Sequence, residues 1–231
     1  MGAAVLIPAA GRGRRMGGER PKAFLPLGGI PILARTLRKF EACALVEEIF
    51  LLVPASEIAF CAEEVVRPFG LRKVSRILAG GAERQDSVFL GLQELGERAE
   101  TVLIHDGARP FVPPSLIESS IREAGRWPAV TAAIPAGETI KEVSAEGVVR
   151  GTLPRERLWI VQTPQAFAGP VIREAHARAK GEGFYATDDA GLVERIGVPV
   201  RILIGSRFNL KFTTPEDLLI GEALLKMKED L

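Results

Sequence analysis

The segment richest in reactive possibilities lies near the start: Pro8-Ala9-Ala10-Gly11-Arg12-Gly13-Arg14-Arg15-Met16-Gly17-Gly18-Glu19-Arg20-Pro21-Lys22. Small residues and glycines let backbone N–H groups approach a phosphate closely, and Arg12, Arg14, Arg15, Arg20 and Lys22 place five cations within eleven residues. A polyphosphate is the matching ligand. Two common nucleotide motifs do not describe this loop. Gly11-x-Gly13 puts Met16 at the third fingerprint position of a dinucleotide site, and the second strand ends in Leu52-Val53-Pro54 without an acid for a ribose. Lys22 follows Pro21 and precedes Ala23, so the P-loop pattern fails as well. Taken alone, the segment is also compatible with a solvated basic turn.

Further chemistry is spread along the chain. Gly80-Gly81 follows a strand and precedes a helix, where a close backbone approach reads a flat base edge, or simply makes a turn with Ser87 as a cap. Asp106 ends the apolar run Val102-Leu103-Ile104, where a carboxylate faces magnesium-bound phosphates or a ribose hydroxyl. Arg109, three residues on, offers a guanidinium fork to a phosphate. A cap or a salt bridge between the two serves equally well as a reading. His105 has no carboxylate pattern of a triad beside it and reads as structural. Thr187-Asp188-Asp189 reads as the cap of a helix through Val193, and Thr214-Pro215 as a helix start.

The elements that must position these residues follow from periodicity. Short apolar runs at Ala3 to Ile7, Ile49 to Val53, Val74 to Leu78, Val102 to Ile104, Ala129 to Ile134 and Val200 to Ile204 predict buried strands. Helical spacing joins Leu33, Leu37 and Phe40, and covers Ile58 to Val66, Ser87 to Leu95, Ser115 to Ala124, Pro170 to Ala179 and Pro215 to Lys228. Such alternation predicts an α/β fold, a mostly parallel sheet with helices on both faces and ligands at the carboxyl edge of the strands. The whole of 1–231 reads as one domain, with 137–156 as a projecting arm. Within it Thr139-Ile140-Lys141-Glu142-Val143 alternates, turns near Glu146-Gly147 and resumes at Val148-Val149. An isolated hairpin is marginal in water, so this one is expected to pack on something, with a second subunit as a natural candidate and a surface loop as the alternative.

Composition excludes several classes. Of 231 residues, 47% are hydrophobic, enough to bury a core and rule out disorder. Thirty Lys and Arg against 29 Asp and Glu leave a formal charge of +1, so no global field gathers nucleic acid or anionic membrane. Nucleic-acid binding by the basic loop also lacks interleaved aromatics, Phe24 being its near neighbour. The N-terminal segment has no basic region followed by a long apolar stretch, and no run of 18 apolar residues occurs, so a cytoplasmic, soluble protein is expected. Cys43 and Cys61 read as buried free thiols.

Taken together the motifs are specific. Pro8-Ala-Ala-Gly-x-Gly-x-Arg-Met16 with Pro21-Lys22 resembles the signature loop of nucleotidyltransferases that share a Rossmann-like, glycosyltransferase-A-like sheet. Four more segments stand in the order and at the spacings of the 2-C-methyl-D-erythritol 4-phosphate cytidylyltransferase family, CTP-using enzymes of the non-mevalonate isoprenoid pathway. They are Gly80-Gly81-x-x-Arg84-x-x-Ser87-Val88, His105-Asp106-Gly107-Ala108-Arg109-Pro110, Thr163-Pro164-Gln165-x-Phe167 and Thr187-Asp188-Asp189-Ala190. The resemblance runs from about Val5 to Leu225.

The resemblance implies CTP and methylerythritol phosphate as substrates, Mg²⁺ as cofactor, and a homodimer whose arm is exchanged between subunits. Arg15 and Lys22 are implied as catalytic residues that stabilise the α-phosphate. Pro8, Ala9, Ala10, Gly11, Gly13, Gly81, Ala82, Ser87, Asp106 and Gly107 are implied to hold CTP. Arg109, Thr139, Arg155, Thr163 and Lys211 are implied to hold the acceptor phosphate, Arg155 and Thr163 from across the dimer, with Thr163 following the strand after the arm. Asp106 is the candidate metal ligand. Where the family often carries aspartate this chain has Ala82, so a base contact there must come from backbone. Alternatives are another acceptor, such as ribitol 5-phosphate or a sugar 1-phosphate, and a nucleotide sensor that releases no pyrophosphate.

Overall fold

The computed structural model describes residues 2–11 and 21–229. The strands are β1 (Ala3–Pro8), β2 (Pro26–Leu27), β3 (Ile30–Pro31), β4 (Val46–Val53), β5 (Val74–Ala79), β6 (Thr101–Ile104), β7 (Ala129–Pro135), β8 (Lys141–Val143), β9 (Val149–Thr152), β10 (Trp159–Ala168) and β11 (Arg201–Ile204). The α-helices are α1 (Ile32–Glu41), α2 (Ile58–Phe60), α3 (Arg84–Leu95), α4 (Pro114–Ala124), α5 (Gly169–Glu182), α6 (Asp189–Arg195) and α7 (Pro215–Glu229); α2 runs on as a π-helical stretch, Cys61–Val66.

Seven strands form one sheet in the order β11-β7-β10-β6-β1-β4-β5. All pairings are parallel except those of β10, which lies antiparallel between β6 and β7. The sheet is therefore mostly parallel, as the strand–helix alternation predicts. The apolar pattern gives the strand after the arm no bounds, and a proline is unusual inside a central strand. The sheet accepts the proline through a register shift: Val161 faces Ala133 and Gln165 faces Thr131, leaving Gln162-Thr163-Pro164 displaced from the ladder, with a cis Thr163-Pro164 bond. Thr163 thus sits inside β10 and not after it.

β1 shows why both faces need helices. Its alternate residues Ala3, Val5 and Ile7 join one apolar cluster with Leu33, Leu37 and Phe40 of α1, Cys61 and Val65, and Leu116, Ile117 and Ile121 of α4. Ala4 and Leu6 join the opposite cluster with Val88, Leu92 and Leu95 of α3, Ile172, Ala175 and Ala179 of α5, and Leu192 and Val193 of α6. A strand buried on both faces is what a continuous apolar run encodes. Both cysteines are buried and free, and burial, aided by Glu57, pushes the Cys61 thiol up to about 12.

β8 and β9 pair as a separate antiparallel hairpin, turning through Gly147 at φ +81. Val143, Val148 and Val149 on it are exposed, as are Ile160 and Val161 at the start of β10. Among the described residues no helix is long and apolar enough to cross a membrane.

Candidate functional site

Three loops are laced together at the carboxyl edge of the central strands. Ala9 N–H donates to Leu52 O (2.7 Å), Gly80 N–H to Val53 O (2.8 Å) and Gly107 N–H to Pro8 O (3.2 Å). The approach is close enough to require glycine. A Cβ on Gly80 would overlap the Ala10 methyl and the Ser87 hydroxyl, and one on Gly107 would lie 3.0 Å from both Ala9 Cβ and Leu33 Cδ1. Gly80→Ala therefore costs about 1–3 kcal/mol through overpacking against a backbone-fixed methyl. Thermal or urea unfolding checks this, and an unchanged midpoint would show that the loops have room to part.

Charge gathers on the same edge. Asp106 follows β6 by two residues and is buried. Arg84 Nε donates to its Oδ1 (2.9 Å), while Arg109 Nε (3.3 Å) and Lys211 Nζ (2.9 Å) face its Oδ2. Arg84 also donates through Nη1 to Asp189 Oδ2 (2.7 Å). Three cations against two carboxylates leave a cationic excess of one, and Lys211 remains 39% exposed, so the cluster offers positive charge to the cleft. Burial alone would raise the Asp106 carboxyl, but Arg84, Lys211 and Arg109 hold it well below the usual carboxylate range. Burial likewise opposes ionisation of Asp189, and Arg84 and His176 bring its carboxyl down. The Arg84 guanidinium, which burial would weaken as an acid-held cation, is kept charged by Asp189 and Asp106.

Beneath the charges is a fully paired support. Thr163 Oγ1 accepts from Asp106 N–H (3.1 Å) and lies 3.1 Å from His105 Nδ1, while His105 Nε2 lies 3.2 Å from Arg109 O. A carbonyl only accepts, so Nε2 carries the hydrogen and Nδ1 accepts from the Thr163 hydroxyl. Burial pulls the His105 imidazole down to about 3, which keeps it neutral. Its role is structural, as its sequence context indicated.

A family model described as IspD, 2-C-methyl-D-erythritol 4-phosphate cytidylyltransferase, matches residues 3–227. The chain belongs to this family. It is similar to the 2-C-methyl-D-erythritol 4-phosphate cytidylyltransferase of Geobacter metallireducens, with 50% identity over 96% of this chain and 97% of that one. The protein of the same name from Geotalea uraniireducens is 48% identical over 96% and 95% of the two chains. Among solved structures, the 2-C-methyl-D-erythritol 4-phosphate cytidylyltransferase of Thermus thermophilus superposes with a TM-score of 0.80 at 37% identity, covering 98% of this chain and all of the other (100%).

Against the family's signature, the residues divide as follows. Pro8, Ala9, Ala10, Gly11, Gly81, Ala82, Asp106, Arg109 and Lys211 come to one edge of the sheet, Ala82 and Gly11 exposed there. Lys22 opens a 3-10 turn, Lys22–Phe24, whose Ala23 and Phe24 are buried. Gly13 and Arg15 lie outside the described residues. Ser87 is buried inside α3, where its hydroxyl accepts from Gly81 N–H (3.0 Å) and donates to Glu83 O (3.2 Å), which shapes the loop. Nor does Ser87 cap α3, since Glu83 does so in a reciprocal box with Asp86. Gly107 spends its N–H on Pro8 and its carbonyl on Thr36 Oγ1 (2.9 Å), so its backbone is committed to packing.

Thr163 is buried under Asp106 of its own chain, because β10 is a central strand; this corrects the expectation that it reaches across a dimer. Thr139 and Arg155 stay exposed on the arm, Arg155 Nη1 lying 3.4 Å from Gly137 O. As a metal ligand Asp106 fits poorly, both oxygens already facing cations, and among the described residues no group of three or more His, Cys, Asp or Glu could hold an ion. Arg84 and Asp189 join the site although neither was among the expected site residues. The signal for Arg84 was its place as the first residue of α3, three residues after Gly81; Asp189 looked like part of a helix cap, which its neighbour Asp188 is, accepting from Gly191 N–H (3.0 Å).

Proposed function

We propose that the protein transfers CMP from CTP to 2-C-methyl-D-erythritol 4-phosphate, giving 4-diphosphocytidyl-2-C-methyl-D-erythritol and pyrophosphate. The observation that carries this reading is the meeting of the Pro8–Gly11 turn, the Gly80-Gly81 loop and the Asp106, Arg109, Lys211 cluster at one edge of the sheet. A phosphate oxygen of the acceptor attacks the α-phosphorus of CTP in line, the new P–O bond forms as the bond to the β-phosphate bridging oxygen breaks, and pyrophosphate leaves with that electron pair. The nucleophile is already anionic at neutral pH, so no general base is needed. Positioning and charge neutralisation do the work instead. The backbone of the opening turn with Lys22 and Arg15 takes the triphosphate, Gly81 and Ala82 offer backbone groups to cytosine, and Arg109 and Lys211 take the acceptor phosphate. Mg²⁺ enters this reading as an ion held by triphosphate oxygens, supplying charge neutralisation, and no step is routed through a protein-held metal.

The arm belongs to the same reading. Its exposed Val143, Val148 and Val149 are the kind of surface a second copy covers, which would bring Thr139 and Arg155 to the partner's site. Sedimentation should give twice the chain mass, and V148D with V149D should give monomers of low activity; an active monomer would remove the arm from the account.

The decisive assay is pyrophosphate release with Mg²⁺, run with CTP, ATP, GTP and UTP and with methylerythritol phosphate, ribitol 5-phosphate and a sugar 1-phosphate. Release is expected only with CTP and methylerythritol phosphate together. Equal release with another acceptor would move the protein to a different substrate, and CTP binding without release would make it a sensor.

A further inference from the structure

The site does not end at Arg84. Asp189 is buried, with 1% of its side chain exposed, and both carboxylate oxygens and its N–H are engaged: Oδ2 receives Arg84, Oδ1 lies 3.1 Å from His176 Nε2, and the N–H donates to Gln165 Oε1 (3.2 Å). Since a carboxylate only accepts, His176 Nε2 carries the hydrogen. His176 lies on the buried stripe of α5 with Ile172, Ala175 and Ala179, on the face of the sheet away from α1 and α4. Its Nδ1 finds no partner among the described residues. An imidazole with one nitrogen unpaired in an apolar stripe is costly compared with a leucine of similar bulk. What the histidine contributes is a donor to Asp189.

We infer that His176 and Asp189 are positioning residues that act through Arg84, fixing the Asp106 carboxylate that faces the nucleotide. The relay runs His176 Nε2 to Asp189 Oδ1, Asp189 Oδ2 to Arg84 Nη1, and Arg84 Nε to Asp106 Oδ1, so the guanidinium is gripped by one carboxylate on each edge. With Asp189 unable to turn, Arg84 keeps one place, and Asp106 keeps Oδ2 toward Lys211 and Arg109. Buried ion pairs contribute little net stability compared with apolar replacements, and registry is their best-attested use. This explains why Thr187-Asp188-Asp189-Ala190, remote in sequence from the glycine loop, belongs with the site.

The inference rests on the reading that Asp106 faces CTP, and a double-mutant cycle separates the two. H176L, which keeps bulk and removes the donor, is expected to lower kcat/KM for CTP about tenfold, measured by pyrophosphate release well below the unfolding temperature. H176Q, whose amide N–H reaches toward the place of Nε2, should recover activity to within about threefold of the parent. In a D106N background H176L should cost less than about twofold further, because the residue it acts through is already altered. A full tenfold loss in that background, or equal losses for H176L and H176Q, would overturn the relay. If D106N alone leaves CTP turnover unchanged, the reading of Asp106 itself fails. Should H176L not fold, the isosteric D189N is to show the same loss and the same dependence on Asp106; additivity there overturns the relay equally.

Discussion

Lys22→Ala is expected to lower turnover with CTP at least about a hundredfold, and Arg15→Ala to do the same, the scale of losing one preorganised stabiliser of transition-state charge. The reason is the arithmetic of the reaction. Two highly charged anions must meet, and charge builds on the α-phosphoryl oxygens as the fifth ligand arrives. Without a base to assist, each cation aimed at those oxygens carries a large share of the acceleration. Lys22 suits the task because its neighbours Ala23 and Phe24 anchor the turn in the core. Steady-state kinetics on variants shown folded by circular dichroism checks the effect. Near-parental turnover by either variant would take it out of the catalytic role, and a rise in KM at constant kcat would make it a binding group only.

Acid is expected to weaken the fold well above the carboxylate range. His105 titrates at its ordinary 6.5 when unfolded and near 3 when folded, so the unfolded chain binds more protons across that window. Stability is then full above pH 6.5 and falls as pH drops toward 3, by roughly 5 kcal/mol in total at 1.4 kcal/mol per unit. Asp106 and Asp189, both held low in the folded state, add to the loss below about pH 4, because the unfolded carboxyls take up protons first. Urea midpoints from pH 8 to 4 would show the fall, and H105Q should remove the portion between 6.5 and 4. A flat profile over that range in the parent would mean that the imidazole is solvated or finds an acidic partner.

The sheet was legible because burial on both faces leaves a plain mark: Ala3 to Ile7 and Val102 to Ile104 are uninterrupted apolar runs. β10 was not, since Gln162, Thr163, Pro164 and Gln165 are polar or strand-breaking and their burial depends on partners far away, such as Asn209, His105 and Thr131. In the site, the opening turn, Asp106 and Arg109 stood out because charge or glycine clusters at the end of an apolar strand. Arg84 and Asp189 are 105 residues apart, and nothing local marks either as the other's partner. Ser87 and Gly107 each show a partner that the sequence did not reveal: Ser87 Oγ accepts from Gly81 N–H, and Gly107 O accepts from Thr36 Oγ1.

The central claim is that the turn after β1 and the Asp106 cluster form one seat for CTP. Crystals soaked with CTP and Mg²⁺ test it most directly. The account predicts the triphosphate along residues 8–22, the cytosine against Gly81 and Ala82, and the ribose side of the nucleotide facing Asp106. A nucleotide found ordered elsewhere on the protein, with that edge of the sheet free of it, would contradict the account.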